Sequence, residues 1–190
     1  MELVFATNNN NKLKEVQAML NAVTLLTLAD IKCTENIPET SSTIIGNAIQ
    51  KVNYLSDNYN VDGFADDTGL EIEALNNEPG VYSARYAGEE KSAEANMNLV
   101  LQKLQEHTNK KARFVTVIAL NLNGTQHIFE GICNGIITET KSGSKGFGYD
   151  PIFIPDGFTK TFADMTQEEK ARISHRGIAV KKLIHFLNQQ

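Results

Sequence analysis

The opening of the chain changes from an apolar run to a polar loop and then to a helical pattern. Residues 3–6 are apolar and rich in β-forming side chains, without alternation, which is typical of a strand buried on both faces. Polar residues fill positions 7–11, after which Leu13, Val16 and Leu20 recur at near-helical spacing. The pattern predicts a strand, a polar loop and a helix, in that order.

Two further helices are predicted in the middle of the chain. The first has apolar side chains at i, i+3, i+4 and i+7, namely Ile45, Ala48, Ile49 and Val52. The same spacing places Asn47 and Lys51 together on another face of that helix. Short strands are predicted at about residues 63–65 and 70–75. Ser92 fits the N-cap of the next helix, whose apolar stripe is Ala93, Met97, Val100, Leu101 and Leu104.

The second half of the chain predicts a hairpin and a helical C-terminal segment. Residues 113–122 and 126–137 are rich in β-branched side chains and are separated by Asn123-Gly124, a pair that favours a two-residue hairpin turn. Thr166 and Glu169 match a capping box, and the helical segment after them has the apolar stripe Val180, Leu183, Ile184 and Leu187. Gly177 predicts a break that would place the preceding His175-Arg176 pair at a bend.

These elements predict an α/β fold with a mixed sheet. Helices alternate with strands at both ends of the chain while the hairpin occupies the middle, so an all-parallel, doubly wound sheet fits less well. The length of 190 residues suits one domain, residues 1–190, since the chain shows no internal repeat or linker.

Composition narrows the class of protein. The net charge of −5 lacks the basic surplus expected of a protein that binds long nucleic acids, so no nucleic-acid partner is predicted. No stretch approaches the ~20 apolar residues of a membrane span, and the N-terminus lacks the basic lead-in of a signal peptide. A cytoplasmic protein without a membrane partner is expected. Cys33 and Cys133 have no metal-ligand spacing and are predicted to be buried apolar side chains.

The first candidate site is the polar loop between the first strand and the first helix. Loops at the carboxyl ends of such strands bind ligands in α/β proteins, and a helix N-terminus favours anions such as phosphate. The loop residues are Thr7, Asn8, Asn9, Asn10, Asn11 and Lys12. The alternative is a surface turn with a solvated lysine, because the loop lacks the glycines of a Walker A sequence.

The second candidate is the adjacent acid pair Asp66-Asp67, which follows a predicted strand. Neighbouring residues on an extended chain point in opposite directions, so one carboxylate is expected to face a site while the other braces the turn. A carboxylate here could hold Mg²⁺ or accept a proton from water. The alternative is a simple Asp-Asp-Thr-Gly turn with an Asx hydrogen bond.

The third candidate is a glycine-rich aromatic segment at residues 144–153. Its glycines allow close backbone approach to a ligand, and Phe147 or Tyr149 could stack on a base while Asp150 accepts from its N–H groups. The alternative is a loop that packs its aromatic rings into the core. The fourth candidate is the charged run at residues 168–177, where donors could converge on a carbonyl or phosphate oxygen. Its alternative is a solvated helix surface.

In these motifs the sequence closely resembles the inosine triphosphate pyrophosphatase family, also called the non-standard purine NTP pyrophosphatases. The resemblance runs nearly end to end. It is carried by Thr7-x-Asn9-x-x-Lys12, Glu39-Thr40 before Asn47-Ala48, the segments 65–70, 79–88 and 146–151, and Glu169-Lys170 followed by Ser174-His175-Arg176-Gly177.

The resemblance implies an elongated mixed β-sheet flanked by helices, with two lobes around a nucleotide-binding cleft, and a Mg²⁺-dependent homodimer. Its activity would be hydrolysis of ITP, dITP or XTP to the monophosphate and pyrophosphate. Residues 7–12 would bind the triphosphate, Glu39 and Asp67 the metal, and Asp67 would also accept the proton. The rest of the substrate site would be Thr68, Phe147, Gly148, Tyr149, Asp150, Lys170, His175 and Arg176.

The sequence departs from the family pattern in two places. Asn8 and Asn11 stand where relatives often have glycine, and Gly46 stands where relatives usually carry glutamate. Glu39 is the better match for the family's metal ligand. The missing glutamate leaves open a nucleotide-binding protein without catalysis, and a pyrophosphatase for modified pyrimidine or methylated nucleotides is a further alternative.

Overall fold

The computed structural model describes residues 1–20 and 23–190, which contain seven β-strands and five α-helices. The strands are Glu2–Phe5 (β1), Thr24–Leu26 (β2), Gly63–Ile72 (β3), Glu78–Gly80 (β4), Lys111–Leu122 (β5), Thr125–Ile137 (β6) and Phe153–Pro155 (β7). The α-helices are Asn10–Gln17 (α1), Ile44–Tyr59 (α2), Ala93–Leu104 (α3), Gln167–Ile173 (α4) and His175–Leu187 (α5).

The strands form a mixed sheet, which confirms the predicted fold class. Their order is β2-β1-β3-β5-β6-β7, and β4 pairs with β3 away from this path. β1 is parallel to both β2 and β3, whereas the β3–β4 and β6–β7 pairs are antiparallel. The parallel part lies at the N-terminal end of the chain, where strands and helices alternate.

The predicted hairpin turn and helix caps are present in the structure, and each is indicated by a few neighbouring residues in the sequence. Asn123 and Gly124 both have positive φ, 50° and 77°, which matches the two-residue turn that joins β5 to β6. The Ser92 hydroxyl accepts from the Ala95 amide at the start of α3. Thr166 and Glu169 form the capping box of α4. Each of these contacts joins residues within a few positions of one another, so the sequence alone could predict it.

The prediction of two strands around the Asp66-Asp67 pair was wrong. β3 runs without interruption from Gly63 to Ile72, and residues 73–75 form a 3₁₀ turn in place of a second strand. Residues 66–69, for which a turn is the alternative interpretation, are extended. They lie in a strand that has β1, β4 and β5 as neighbours in the sheet, and such tertiary context outweighs a local turn preference.

Two helical details also differ from the sequence interpretation. Ser174, with ψ 156°, separates α4 from α5, so the break precedes His175 instead of following it at Gly177. In α2 the buried apolar stripe is Ile44, Ala48, Val52 and Leu55, and Ile45 is 44% exposed. The helix is therefore turned so that Asn47 and Lys51 are buried as well.

The chain divides into two compact units, each with its own core. Unit 1 contains residues 1–67, 116–131 and 176–190. Its core side chains are Leu3, Phe5, Val16, Leu20, Phe64, Ile118, Leu120, Leu122, Ala179, Val180, Leu183 and Leu187.

Unit 2 contains residues 68–115 and 132–175. Its core side chains are Leu70, Ile72, Met97, Val100, Leu104, Ala112, Phe114, Cys133, Ile137, Tyr149, Ile152, Phe153, Phe162 and Met165. Both cysteines are buried, as expected, and burial raises the pKa of the Cys133 thiol to about 12. Within the described residues, no helix has both the length and the apolarity to cross a membrane.

Candidate functional site

The polar loop after β1 is exposed and is organised by Asn9, the N-cap of α1. The Asn9 side-chain oxygen accepts from the Asn11 amide at 2.9 Å and from the Lys12 amide at 3.2 Å. The Asn9 amide in turn donates to the Thr7 hydroxyl at 3.1 Å. The side chains of Asn8 and Asn10 are exposed at the start of the helix. The loop therefore presents amide side chains beside a helix N-terminus, although Asn9 already occupies two of its N–H groups.

Asp66 lies at the centre of a buried charge network in unit 1. Its two carboxylate oxygens accept from Lys12 Nζ at 2.9 Å and from Arg176 Nε at 3.2 Å, and its side chain is 1% exposed. Arg176 also pairs with Glu15 through Nη1. Burial alone would raise the pKa of the Asp66 carboxyl, but Lys12, Arg176 and Lys51 together lower it below its ordinary value. Asp66 is therefore an ionised anchor for three cations.

Asp67 faces the other side of β3 and meets α2. Asn47 Nδ2 donates to Asp67 Oδ2 at 3.2 Å, and Lys51 Nζ lies 3.8 Å from Oδ1. Burial raises the pKa of the Asp67 carboxyl above its ordinary value; Lys51 and Lys12 oppose this shift, and Glu39 adds to it. The alternation along an extended chain has separated the two acids, as expected.

Lys51 connects Glu39 to both aspartates. Its ammonium donates to Glu39 Oε1 and to the Asp66 carbonyl oxygen, each at 2.6 Å, and its side chain is 7% exposed. Burial alone would lower the pKa of Lys51, but Asp67, Asp66 and Glu39 raise it above its ordinary value. The ammonium is therefore held charged among the three acids.

In unit 2, Asp150 holds the glycine-rich segment in place. Asp150 Oδ2 accepts from the Phe147 amide at 2.8 Å and from Lys170 Nζ at 2.7 Å, and both charged side chains are buried. Gly146 has φ 73°, and a Cβ there would lie 2.0 Å from Asp150 Oδ2. The glycine is therefore needed both for its backbone angle and for the approach of the carboxylate.

The aromatic residues of that segment have different environments. Phe147 is half-buried, and Lys170 Nζ lies 4.9 Å from the centre of its ring. Tyr149 belongs to the core, where its hydroxyl donates to the Ser83 carbonyl oxygen at 2.8 Å. Phe147, with Gly148 beside it at φ 63°, is thus the ring of this pair that a base could reach.

The segment 79–88 supports unit 2 through Ser83. The Ser83 hydroxyl accepts from the Leu70 amide at 2.8 Å and donates to the Gly80 carbonyl oxygen at 2.6 Å. Ser83 therefore joins β3 to this segment.

The remaining predicted site residues of unit 2 are His175 and Thr68. His175 is buried, and its ring stacks on Phe114 with 4.5 Å between the ring centres and 16° between the planes. Thr68 is half-buried on β3. The charged run therefore ends in buried side chains instead of the solvated surface that was its alternative.

Comparison with known proteins now decides the family. The Ham1 family model matches residues 3–186. The chain belongs to the Ham1 family. It is 58% identical over 188 residues to the dITP/XTP pyrophosphatase of Flavobacterium johnsoniae, with 98% of each chain covered. It is 53% identical over 190 residues to the protein of the same name from Christiangramia forsetii, with both chains fully covered at 100%.

Solved Ham1 structures have the same fold. The chain is similar to the Staphylococcus aureus Ham1 protein with a TM-score of 0.92 and 40% identity, covering 100% of this chain and 99% of that one. Its similarity to a HAM1 protein from Coxiella burnetii has a TM-score of 0.93 and 36% identity, with 100% of both chains covered. The α/β architecture is thus shared along the whole chain.

Two polar residues of this Ham1 protein, Asn47 and Lys51, contact the predicted site residues Asp67 and Glu39. Helical spacing predicts that Asn47 and Lys51 share a face of α2, but the sequence does not indicate which acids meet that face. One signal was available, because an asparagine and a lysine one turn apart and flanked by apolar residues would be buried by any slight rotation of the helix.

The donor set of the Ham1 chain fits a metal held jointly with phosphate. Among the described residues, no three His, Cys, Asp or Glu side chains are grouped so as to hold a metal ion. The two predicted ligands, Glu39 and Asp67, both face the Lys51 ammonium, at 2.6 and 3.8 Å. Mg²⁺ commonly takes one or two carboxylates and completes its shell with water and substrate phosphate. Two carboxylates beside a common cation position suit that coordination.

Proposed function

We propose that this chain hydrolyses non-standard purine nucleoside triphosphates, such as ITP, dITP and XTP, to the monophosphate and pyrophosphate. The observation that carries the proposal is high identity, over essentially the whole chain, to proteins named dITP/XTP pyrophosphatase. The buried acids and cations of unit 1 and the Phe147–Lys170 pair of unit 2 support it, because they are side chains suited to a polyphosphate and to a base.

In the proposed reaction, Asp67 accepts a proton from the attacking water. The water oxygen bonds to the α-phosphorus, the bond from that phosphorus to the bridging oxygen breaks, and pyrophosphate leaves. Asp67 suits this step because it is partly accessible, at 13% exposed, and because its pKa is raised, which makes it a better proton acceptor than an ordinary aspartate. Asn47 orients the carboxylate through Oδ2.

The charge of the triphosphate is the main obstacle to this reaction, so stabilising it is the main catalytic task. We assign triphosphate binding to residues 7–12 and to the cations Lys12, Lys170 and Arg176. Glu39 and Asp67 would hold Mg²⁺, which supplies further charge neutralisation. Lys12 and Arg176 already pair with Asp66, and this pairing fixes their positions before substrate arrives.

Selection for keto purines would come from hydrogen-bond polarity at the purine six position. Inosine and xanthine carry an acceptor oxygen there, whereas adenine carries a donor amine. If His175 or Arg176 donates to that oxygen, adenine would leave a buried donor facing a donor, which costs about 1 to 3 kcal/mol. Phe147 would stack on the base, and Thr68, Gly148, Tyr149 and Asp150 would complete this part of the site.

The proposal includes a homodimer in the cytoplasm. A cytoplasmic location would place the enzyme with the nucleotide pool from which it removes non-standard triphosphates. Size-exclusion chromatography with light scattering measures the assembly directly.

The test is a pyrophosphate-release assay over ITP, dITP, XTP, ATP, GTP and modified pyrimidine triphosphates, with and without Mg²⁺. We expect release from the first three only, and only with Mg²⁺. Binding of ITP without turnover would instead indicate a nucleotide-binding protein. Preference for a modified pyrimidine would indicate a different pyrophosphatase, and equal rates with ITP and ATP would refute the donor model.

A further inference from the structure

The segment that carries Glu39 lies against the first turns of α2. We call residues 39–43 the Glu39 segment. The Thr40 amide donates to Gln50 Oε1 at 2.8 Å, and Gln50 Nε2 donates back to the Thr40 hydroxyl at 2.9 Å. The Ser41 amide donates to Asn47 Oδ1 at 2.8 Å. Two side chains of α2 therefore hold two consecutive residues of the segment.

Gly46 provides the space for this contact. A Cβ at position 46 would lie 2.0 Å from Ser41 Oγ, 2.8 Å from Ser41 Cβ and 2.8 Å from Thr43 Oγ1. Rotation of the Ser41 side chain would move its hydroxyl but not its Cβ. Any side chain at position 46 therefore forces the backbone of the segment away from α2.

The position of the segment bears directly on the two carboxylates. Glu39 comes two residues before Ser41, and its carboxylate reaches Lys51 Nζ at 2.6 Å. Asn47, which holds the Ser41 amide, also donates to Asp67 Oδ2 at 3.2 Å. A shift of Ser41 would therefore move Glu39 relative to Asp67 and disturb the Asn47 side chain that both share.

We infer that Gly46 is a positioning residue, whose missing side chain seats Ser41 on α2 and thereby sets the Glu39 carboxylate beside Asp67. The inference rests on the proposed function for its catalytic consequence, since Glu39 and Asp67 are the proposed metal ligands. The contact between Ser41 and α2 is a property of the chain and can be measured without substrate or metal.

The principal test is Gly46→Ala with two readouts. Hydrogen exchange of the Thr40 and Ser41 amides, measured without metal, should become faster because both lose their side-chain acceptors. The Mg²⁺ concentration for half-maximal ITP hydrolysis should rise about 10-fold or more, as for other changes that misplace a metal ligand. The KM for ITP at saturating Mg²⁺ should stay near that of the unchanged protein.

A second substitution distinguishes loss of the contact between Ser41 and α2 from a general loss of structure. Ser41→Gly removes both Ser41 atoms that a Cβ at position 46 would meet, and keeps the amide that donates to Asn47. The third atom, Thr43 Oγ1, stays 2.8 Å from a Cβ at position 46. Ser41→Gly combined with Gly46→Ala should therefore recover most of the amide protection and of the Mg²⁺ dependence of Ser41→Gly alone. An equal defect with serine or glycine at position 41 would overturn the inference.

Gln50→Ala is a second variant that adds no atoms. It should accelerate exchange of the Thr40 amide and raise the Mg²⁺ requirement in the same direction. Alanine is otherwise favoured over glycine in a helix, so without a clash Gly46→Ala would keep slow exchange and an unchanged Mg²⁺ requirement. That result in an active enzyme would overturn the inference. Failure of the unchanged protein to hydrolyse any triphosphate would overturn only the proposed function.

Discussion

At the scale of single residues, two neighbouring aspartates have opposite electrostatic environments. Asp66 is paired with Lys12 and Arg176, which hold its pKa low, whereas burial raises the pKa of Asp67. The physical cause is the alternation of side chains along β3, which sends one carboxylate into a cluster of cations and the other toward Asn47. Pairs of acids separated in this way suit different roles, one as a fixed charge and one as a proton acceptor.

Asp67→Asn should abolish most turnover while leaving the fold intact. The amide keeps the shape of the side chain but cannot accept the proton, so kcat for ITP should fall by about 100-fold or more. Steady-state kinetics with ITP and circular dichroism of the variant measure the two effects. Glu71→Gln is the matched control, because it makes the same change on the same strand at a side chain whose ion-pair partner in the described part of the chain is the exposed Arg113. Near-normal rates for Asp67→Asn would remove Asp67 from the mechanism.

Arg176→Met should destabilise the protein as well as affect substrate. The change leaves the carboxylates of Asp66 and Glu15 without their arginine in a buried network, which costs about 3 to 5 kcal/mol. Urea denaturation measures this loss. Arg113→Met, which breaks a surface pair with Glu71, should cost about 1 kcal/mol or less. If Arg176→Met raised KM without lowering stability, the arginine would serve substrate alone.

At the scale of elements, the capping box of α4 shows how local chemistry supports the site. Thr166 accepts from the Glu169 amide at 3.2 Å, and Glu169 accepts from the Thr166 amide at 2.8 Å. The same carboxylate accepts from Lys160 at 2.7 Å. The next residue in the helix is Lys170, which pairs with Asp150. The cap therefore fixes the start of the helix that presents a proposed phosphate-binding lysine.

The contribution of Glu169 to stability should depend on pH. Hydrogen bonds from Lys160 and from the Thr166 amide lower the pKa of this carboxyl below its ordinary 4.5. Its stabilising effect is therefore complete above pH 4.5 and is lost as the pH falls through the lower pKa of the folded state. Glu169→Gln keeps the capping geometry and removes the charge. Its destabilisation, measured by urea denaturation, should be full at neutral pH and should disappear in acid. Equal destabilisation at neutral and at acid pH would show that the charge of Glu169 does not contribute to stability.

At the scale of the whole molecule, stability rests on two separate apolar cores. Phe64 in unit 1 is fully buried and stacks on Phe5 with 4.6 Å between ring centres. Phe162 in unit 2 is fully buried and lies 5.1 Å from Phe153 by the same measure. Each unit therefore has its own large aromatic contact in its core.

Phe64→Ala and Phe162→Ala should each lower the free energy of unfolding by about 3 to 5 kcal/mol, from lost burial and the cavity left behind. Phe158→Ala is the control, since that ring is 42% exposed and its removal should cost about 0.5 kcal/mol or less. Chemical denaturation followed by circular dichroism compares the three. A small loss for either buried phenylalanine would mean that the corresponding core does not limit stability.

Elements whose signals are local can be predicted from the amino-acid sequence. Three such elements depend on contacts within a few residues and could therefore be predicted from the sequence. They are the turn at Asn123-Gly124, the cap at Ser92 and the capping box at Thr166. The family motifs also predict which residues form the site, and the role of each stays a prediction.

Which charged side chains pair with one another depends on tertiary packing and could not be predicted from the sequence. Arg176 pairs with Asp66, which lies 110 positions away in the sequence, and Lys51 pairs with Glu39 and Asp67, which lie in two different segments. Tertiary packing also keeps residues 66–69 extended and buries Asn47 and Lys51. The physical reason is that a buried charge is stable only beside a partner, and burial and partners arise when distant segments pack together.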